Sequence, residues 1–273
     1  MLIRFCVFLL ESSPTLRRLL WRWWYGRLAK KYTTGDWTFM NYGYAPAAAS
    51  DAPTLLLEPA DESDRYCIQL YDRVAGPARL ADAQVLEVGS GRGGGASYLA
   101  RYHRPKNYTG ADYSPQAVAL CQQRHAHVAH LCFAVGDAER LPFAAASIDV
   151  VVNVESSHCY GHLEKFFAEV ARVLRPGGRF AYTDFRSTAD MEKLAQTLAA
   201  MPEFELIERE DITTGVLAAL EADDARKRAL IAELVPAGLQ HLFGEFAGLS
   251  GGEMFTGFRD RTLAYHRFLF RRK

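Results

Sequence analysis

Apolar and polar positions along this chain recur with two periods, and the changes from one to the other divide it into elements. Residues 1–31 read as helical, broken at Pro14, with Leu16, Leu20, Trp24 and Leu28 in a stripe one turn apart. Residues 32–59 are irregular, because Gly35, Gly43, Pro46, Pro53 and Pro59 leave no room for a long regular element. A helix suits 60–74, with Ile68, Leu70 and Tyr71 among its apolar contacts. The runs 84–88, 107–112, 131–135, 148–153 and 179–185 then read as strands, interleaved with helical runs at 94–102, 115–125 and 162–174. A helix over 188–200 and a strand over 204–209 follow. The pattern changes at 213–219, 224–234 and 239–246, three helical stretches in succession, before 263–270 closes as a strand with period-two character. Alternation of this kind predicts an α/β, doubly wound, mostly parallel sheet with right-handed crossovers.

The densest chemical signal lies where the first strand ends. Val85-Leu86-Glu87-Val88-Gly89-Ser90-Gly91-Arg92-Gly93-Gly94-Gly95 carries an apolar run into an acid, then a glycine-dense turn, then a helix start. Glycines are needed where backbone turns sharply and lies against a ligand, and the amides of the following helix start face it with partial positive charge. Gly89, Gly91 and Gly94 satisfy G-x-G-x-x-G; Gly89, Gly91 and Gly93 satisfy G-x-G-x-G equally well. Spacing alone therefore leaves the nucleotide open. Glu87 would repel a pyrophosphate and is placed to take a ligand's ammonium group. Asp112, ending the second strand, suits a ribose diol, of NAD or of an adenosyl ligand. Asp137, ending the third, suits the exocyclic amine of an adenine, with Ala138 and Leu141 against the ring.

Four segments taken in order resemble the class I S-adenosylmethionine-dependent methyltransferases. They are the glycine loop, Tyr108-Thr109-Gly110-Ala111-Asp112-Tyr113-Ser114, Gly136-Asp137-Ala138-Glu139-Arg140-Leu141-Pro142-Phe143, and Leu174-Arg175-Pro176-Gly177-Gly178. The resemblance narrows at Val152-Asn153-Val154-Glu155-Ser156-Ser157-His158-Cys159-Tyr160, at Gly93-Gly94-Gly95-Ala96-Ser97-Tyr98-Leu99 and at Phe39-Met40-Asn41-Tyr42-Gly43-Tyr44. There the chain is similar to the mycobacterial phthiotriolone/phenolphthiotriolone dimycocerosates methyltransferases, which O-methylate a long-chain lipid alcohol or keto-alcohol. The similarity runs from about Trp21 onward and departs over much of 212–252, which the family's substrate chamber would use. It implies a Rossmann-like sheet of seven strands, the last antiparallel, with a helical insertion before it. The implied organisation is an N-terminal helical cap (1–59), a cofactor-binding core (60–211), a helical lid (212–252) and a closing strand (253–273). The implied cofactor is S-adenosyl-L-methionine, released as S-adenosyl-L-homocysteine, held by Tyr44, Glu87, Gly89, Gly91, Gly93, Asp112, Tyr113, Asp137, Ala138 and Asn153. Tyr42 and Tyr160 would line the acceptor pocket.

Methyl transfer from a sulfonium is an in-line displacement in which the donor is already activated, so the protein must align the acceptor and remove its proton. An aliphatic hydroxyl needs a general base within hydrogen-bond reach. In open α/β sheets ligands bind at the carboxyl ends of strands, which points to the segment after the fourth strand, 155–162. His158 is the first candidate, its ordinary pKa of ~6.5 letting it take a proton near neutrality. Glu155 would orient His158, act as the base itself, or bond near the donor's methionine moiety. Cys159 reads as packing and His162 as the first turn of the next helix. His127 and His130 lack a third partner in pattern, and no metal site is expected.

Charge and cysteine usage refine this picture. Net charge is zero over 273 residues, so no global field argues for nucleic acid. Five scattered cysteines without a C-x-x-C pair suggest reduced thiols and a cytoplasmic protein. Residues 1–31, however, carry Arg4, Arg17, Arg18, Arg22, Arg27, Lys30 and Lys31 against Glu11 alone, together with Trp21, Trp23 and Trp24. Two arrangements fit: an amphipathic helix lying on an anionic membrane surface, or a cap packed on the catalytic body. The leading function is O-methylation of a hydroxyl on an apolar, lipid-like or polyketide-derived acceptor. C-methylation of a sterol or isoprenoid alkene is the alternative, with Glu155 and pocket aromatics stabilising a carbocation. A non-catalytic protein binding cofactor and lipid surfaces is a third, opposed by the complete set of acids Glu87, Asp112 and Asp137.

Overall fold

The computed structural model describes residues 37–46 and 55–273; the helical stretch expected over 1–31 lies outside them. Val85 packs with Ile68, Tyr98 and Leu99 on one side of its strand, while Leu86 and Val88 pack with Phe166, Phe167 and Val170 on the other. A strand buried on both faces in this way belongs to the interior of a parallel sheet. Seven strands form that sheet: β1 (Gln84–Val88), β2 (Asn107–Asp112), β3 (Leu131–Val135), β4 (Ile148–Val154), β5 (Leu174–Ser187), β6 (Phe204–Asp211) and β7 (Leu263–Arg272). Their order is β3-β2-β1-β4-β5-β7-β6. The first five run parallel, and β7 is antiparallel between β5 and β6.

Helices α1 (Arg65–Ala75), α2 (Gly94–Tyr102) and α3 (Pro115–Arg124) cover one face. The other face is covered by α4 (Leu163–Val173) and α5 (Thr188–Ala200). Phe166, Phe167 and Phe180 are fully buried there, each contributing about 1.5–3 kcal/mol of apolar burial. The chain leaves β1 toward β2 and later returns to β4 on the other side. Their carboxyl ends therefore splay apart and open a crevice.

Between β6 and β7 lie α6 (Thr213–Leu234), α7 (Ala237–Ala247) and α8 (Glu253–Arg259). The sequence suggested two helices, over 213–219 and 224–234, with a gap between them. Arg226 and Arg228 instead pair with Asp223 and Asp224 one turn back, which carries a single helix through. The seven-residue α8 was not foreseen. Nor was the extent of β5: the Pro176–Gly178 turn is a bulge inside one strand, whose register jumps from Ile148↔Leu174 to Val150↔Arg179.

Residues 37–46 cross the carboxyl ends of the strands as an extended strap. Trp37 O accepts from Arg92 Nε (2.6 Å) and Arg124 Nη1 (3.0 Å), Tyr42 N donates to Glu155 Oε2 (2.9 Å), and Ala45 N donates to Gly215 O (2.9 Å). The strap thus runs from the glycine loop to the insertion helices.

Candidate active site

The glycine loop follows β1 directly. Gly89 has φ +79°, and a Cβ there would stand 2.4 Å from Ser156 Oγ, so any side chain would collide with the end of β4. Gly89 N and Ser90 N both donate to Ala111 O, at 2.8 and 3.1 Å, tying the loop to β2. Asp112 then receives Gly91 N on Oδ2 (3.0 Å) and Ser114 N on Oδ1 (2.9 Å). With the Tyr113 amide as a third donor, the carboxylate still keeps acceptor capacity. Burial raises its pKa against the pull of those amides. Tyr113 is half-buried beside it, and at the end of β3 Asp137 accepts Glu139 N (3.0 Å) with Ala138 buried alongside. Gly93, with φ +81°, gives α2 its start. Asn153 is fully buried in β4, its Nδ2 donating to Val88 O (2.8 Å). Gly89, Gly91, Asp112, Tyr113, Asp137, Ala138 and Asn153 are thus gathered at the carboxyl ends of β1 to β4, whereas a Cβ on Gly93 would meet His125 and Phe133.

Two residues assigned to the cofactor from sequence are placed elsewhere. Glu87 faces into the sheet's α1–α2 side, where Tyr71 Oη and Tyr108 Oη donate to its two oxygens at 2.7 and 2.9 Å. It is fully buried and so is not open to a ligand's ammonium group. Strand alternation causes this, since Glu87 shares the face of Val85, not that of Val88. Tyr44 lays its ring on Gly215, where a Cβ would come within 2.2 Å of it. At ~3.3 Å per residue the extended strap carries Tyr44 past Glu155 to the insertion helices.

The segment after β4 gathers the catalytic candidates. Glu155 has φ +49°, rare for a residue with a side chain, and its Oε2 accepts from Tyr42 N and Tyr265 Oη, both at 2.9 Å. Burial pushes this carboxyl up to about 7, although the Tyr42 amide, His158 and Tyr265 favour its charge. His158 Nδ1 lies 2.9 Å from Asp184 Oδ1, and its backbone N donates to Asp184 Oδ2 at 2.9 Å. Asp184, not Glu155, orients the imidazole. Burial opposes the imidazolium, but Cys159 and Asp184 beside it outweigh that and raise His158 well above its ordinary value. Asp184 itself is held far below the usual carboxylate range: Arg186 and His158, with the Ser157 hydroxyl, overcome its burial.

Tyr42 and Tyr160, expected in the acceptor pocket, are engaged differently. The Tyr42 ring is buried between Phe185 (5.4 Å) and Phe258 (5.6 Å). Tyr160 turns back over the 3-10 turn Ser157–Cys159, so its hydroxyl meets Asn153 Nδ2 and Ser156 Oγ, each at 2.9 Å. Asp184 and Tyr265 were missed in the sequence. Asp184 had one signal, as the sole charged residue in the run from Phe180 to Phe185.

A family model described as a methyltransferase domain matches residues 86–182. The phthiotriol/phenolphthiotriol dimycocerosates methyltransferase of Mycobacterium tuberculosis is 40% identical over 259 residues, covering 95% of this chain and 94% of that one. The chain belongs to the class I S-adenosylmethionine-dependent methyltransferases. A fatty-acid O-methyltransferase of Mycolicibacterium smegmatis is 37% identical, with 89% of this chain and 88% of that one covered. Among solved structures, a protein described as a putative sarcosine dimethylglycine methyltransferase from Galdieria sulphuraria shares the fold at a TM-score of 0.67 and 16% identity, covering 85% of this chain and 93% of its own. Geranyl diphosphate C-methyltransferase from Streptomyces coelicolor does so at 0.60 and 17%, covering 91% and 98%.

This methyltransferase uses S-adenosylmethionine, and its crevice fits that molecule. Ser90 Oγ and Asn153 Oδ1 are buried there without a hydrogen-bond partner among the described residues, ready for a polar ligand.

Proposed function

We propose that this methyltransferase O-methylates a hydroxyl on an apolar, lipid-like acceptor, with His158 as general base. One observation carries the reading: a histidine at the carboxyl end of β4 has its Nδ1 fixed by a buried aspartate. With Nδ1 committed to Asp184, an acceptor's proton would arrive on Nε2. The names of the relatives, which cite phthiotriol lipids and fatty acids, support an apolar acceptor.

Gly89, Gly91, Asp112, Tyr113, Asp137, Ala138 and Asn153 would hold the adenosyl and methionine portions, Asp112 by accepting the ribose hydroxyls. Bound S-adenosylmethionine supplies a methyl group on a sulfonium, activated for in-line displacement. Asp184 holds the imidazole in one tautomer and orientation. Phe185, whose ring lies 4.9 Å from that of His158, limits water around it.

The test is transfer of a labelled methyl group to a long-chain alcohol by the full chain. His158→Ala should lower kcat by roughly 10²–10⁴-fold with little change in affinity for S-adenosylhomocysteine. Activity that survives in His158→Ala and dies in Glu155→Gln would replace this reading with the cation-stabilising, C-methylating one. Transfer to a fatty acid alone, undiminished below pH 6, would point to a carboxylate acceptor that needs no base.

A further inference from the structure

Asp184 is a fully buried carboxylate, and more than one cation draws on it. Its Oδ1 lies 2.9 Å from His158 Nδ1 and 3.1 Å from Arg186 Nη1, and also accepts Phe185 N at 2.9 Å. Its Oδ2 accepts Ser157 Oγ at 2.6 Å and His158 N at 2.9 Å. Since Ser157 spends its hydroxyl proton on Asp184, it must accept from Arg186 Nη2 (2.9 Å) and Tyr182 Oη (2.7 Å). Arg186 therefore grips the carboxylate directly and again through Ser157.

We propose that Arg186 is a positioning residue for the transfer: it shares the buried Asp184 carboxylate with His158 and so limits how tightly that carboxylate holds a proton on the imidazole. The inference rests on His158 being the base. A buried carboxylate needs a counter-ion. If Arg186 were absent, the imidazolium of His158 would be the nearest cation left and would carry the whole of that demand. With Arg186 in place part of the charge of Asp184 is already met, so the proton on His158 is held less tightly than it would be otherwise.

Cys159 on its own turn and Glu155 at the end of β4 act on His158 directly, while Tyr182 on β5, Tyr265 on β7 and Tyr42 on the strap lie within the field of Asp184, and Glu245 on α7 within that of Tyr42. Arg186 is the cation that the described ion pairs and hydrogen bonds place against Asp184 besides His158.

The experiment follows the His158 ring by NMR in the full chain, with labelled histidine and S-adenosylhomocysteine bound. In parallel, the pH–rate profile is recorded with S-adenosylmethionine and hexadecanol. In Arg186→Gln the His158 titration should rise by about one pH unit relative to the parent, and the rate inflection should move with it. Arg186→Lys, which keeps the charge, should bring both most of the way back. A titration that moves while the rate inflection stays would uphold the role of Arg186 and remove His158 as the base. A folded Arg186→Gln chain whose His158 titration stays or falls overturns the proposal. Should that variant not fold, Arg186→Met, which keeps the length of the side chain without its charge, carries the same reading: a His158 titration that stays or falls in a folded Arg186→Met chain overturns the proposal equally.

Discussion

Both oxygens of Glu87 are taken up by tyrosine hydroxyls in a fully buried site, and burial pushes this carboxyl up to about 7 from an ordinary 4.5. The folded chain thus binds that proton more tightly than the unfolded one. The associated stability is fully present below about 4.5 and is lost as pH rises through about 7. The loss is about 3 kcal/mol. Thermal melts of Glu87→Gln without ligand should therefore fall less between pH 5 and pH 8 than those of the parent; equal slopes would assign the loss to other groups. Asp112 is the contrasting acid, with acceptor capacity left over at the crevice rim. Asp112→Ala should weaken S-adenosylhomocysteine at least tenfold by calorimetry, since ~1.4 kcal/mol suffices for that. Unchanged affinity would take the ribose contact away from it. Sequence marks both residues alike, as acids near strand ends. It cannot separate them, because their difference lies in which face of the sheet each one shares with tyrosines distant in the chain. Asp184 and Tyr265 escaped for the same reason, lying 26 residues and more than 100 residues from the groups they hold.

The strands and helices up to α5 were legible because their apolar periods are clean and both sheet faces are covered by neighbouring elements. The insertion was not, since α6 presents no sustained apolar stripe and draws on ion pairs along its own length. One helix position tests how strap and insertion meet. A glycine inside a helix ordinarily costs about 1 kcal/mol relative to alanine, so replacing it should stabilise. At Gly215 the opposite is expected: the added methyl would enter the Tyr44 ring. Gly215→Ala should cost about 1–3 kcal/mol in a denaturant melt and loosen the strap's amides in hydrogen exchange. A gain in stability would show that Tyr44 gives way freely.

On the scale of the whole molecule, charge separates along the chain, with a surplus of six positive charges over residues 1–31. Each basic residue near an anionic bilayer contributes about 1 kcal/mol, and interfacial tryptophans add to it. No helix among the described residues is long and apolar enough to cross a membrane. The full chain should sediment with phosphatidylserine vesicles at low salt and less at high salt, whereas a chain beginning at Tyr32 should not. If both chains stay in the supernatant and the shorter one melts earlier, residues 1–31 are a packed cap.

The position of β7 carries a consequence for how the protein comes into being. This strand lies between β5 and β6, yet both precede it in the chain. During synthesis those two are held apart with nothing to fill the slot, each exposing a row of unpaired amides and carbonyls to whatever passes. β7 also brings Tyr265 to Glu155 and, through the register Asp184↔His266, backs the strand that holds Asp184. Until β7 is made, Glu155 lacks its Tyr265 partner and β5 lacks one neighbour, so the open slot is where a chaperone or a misplaced strand would find the growing chain.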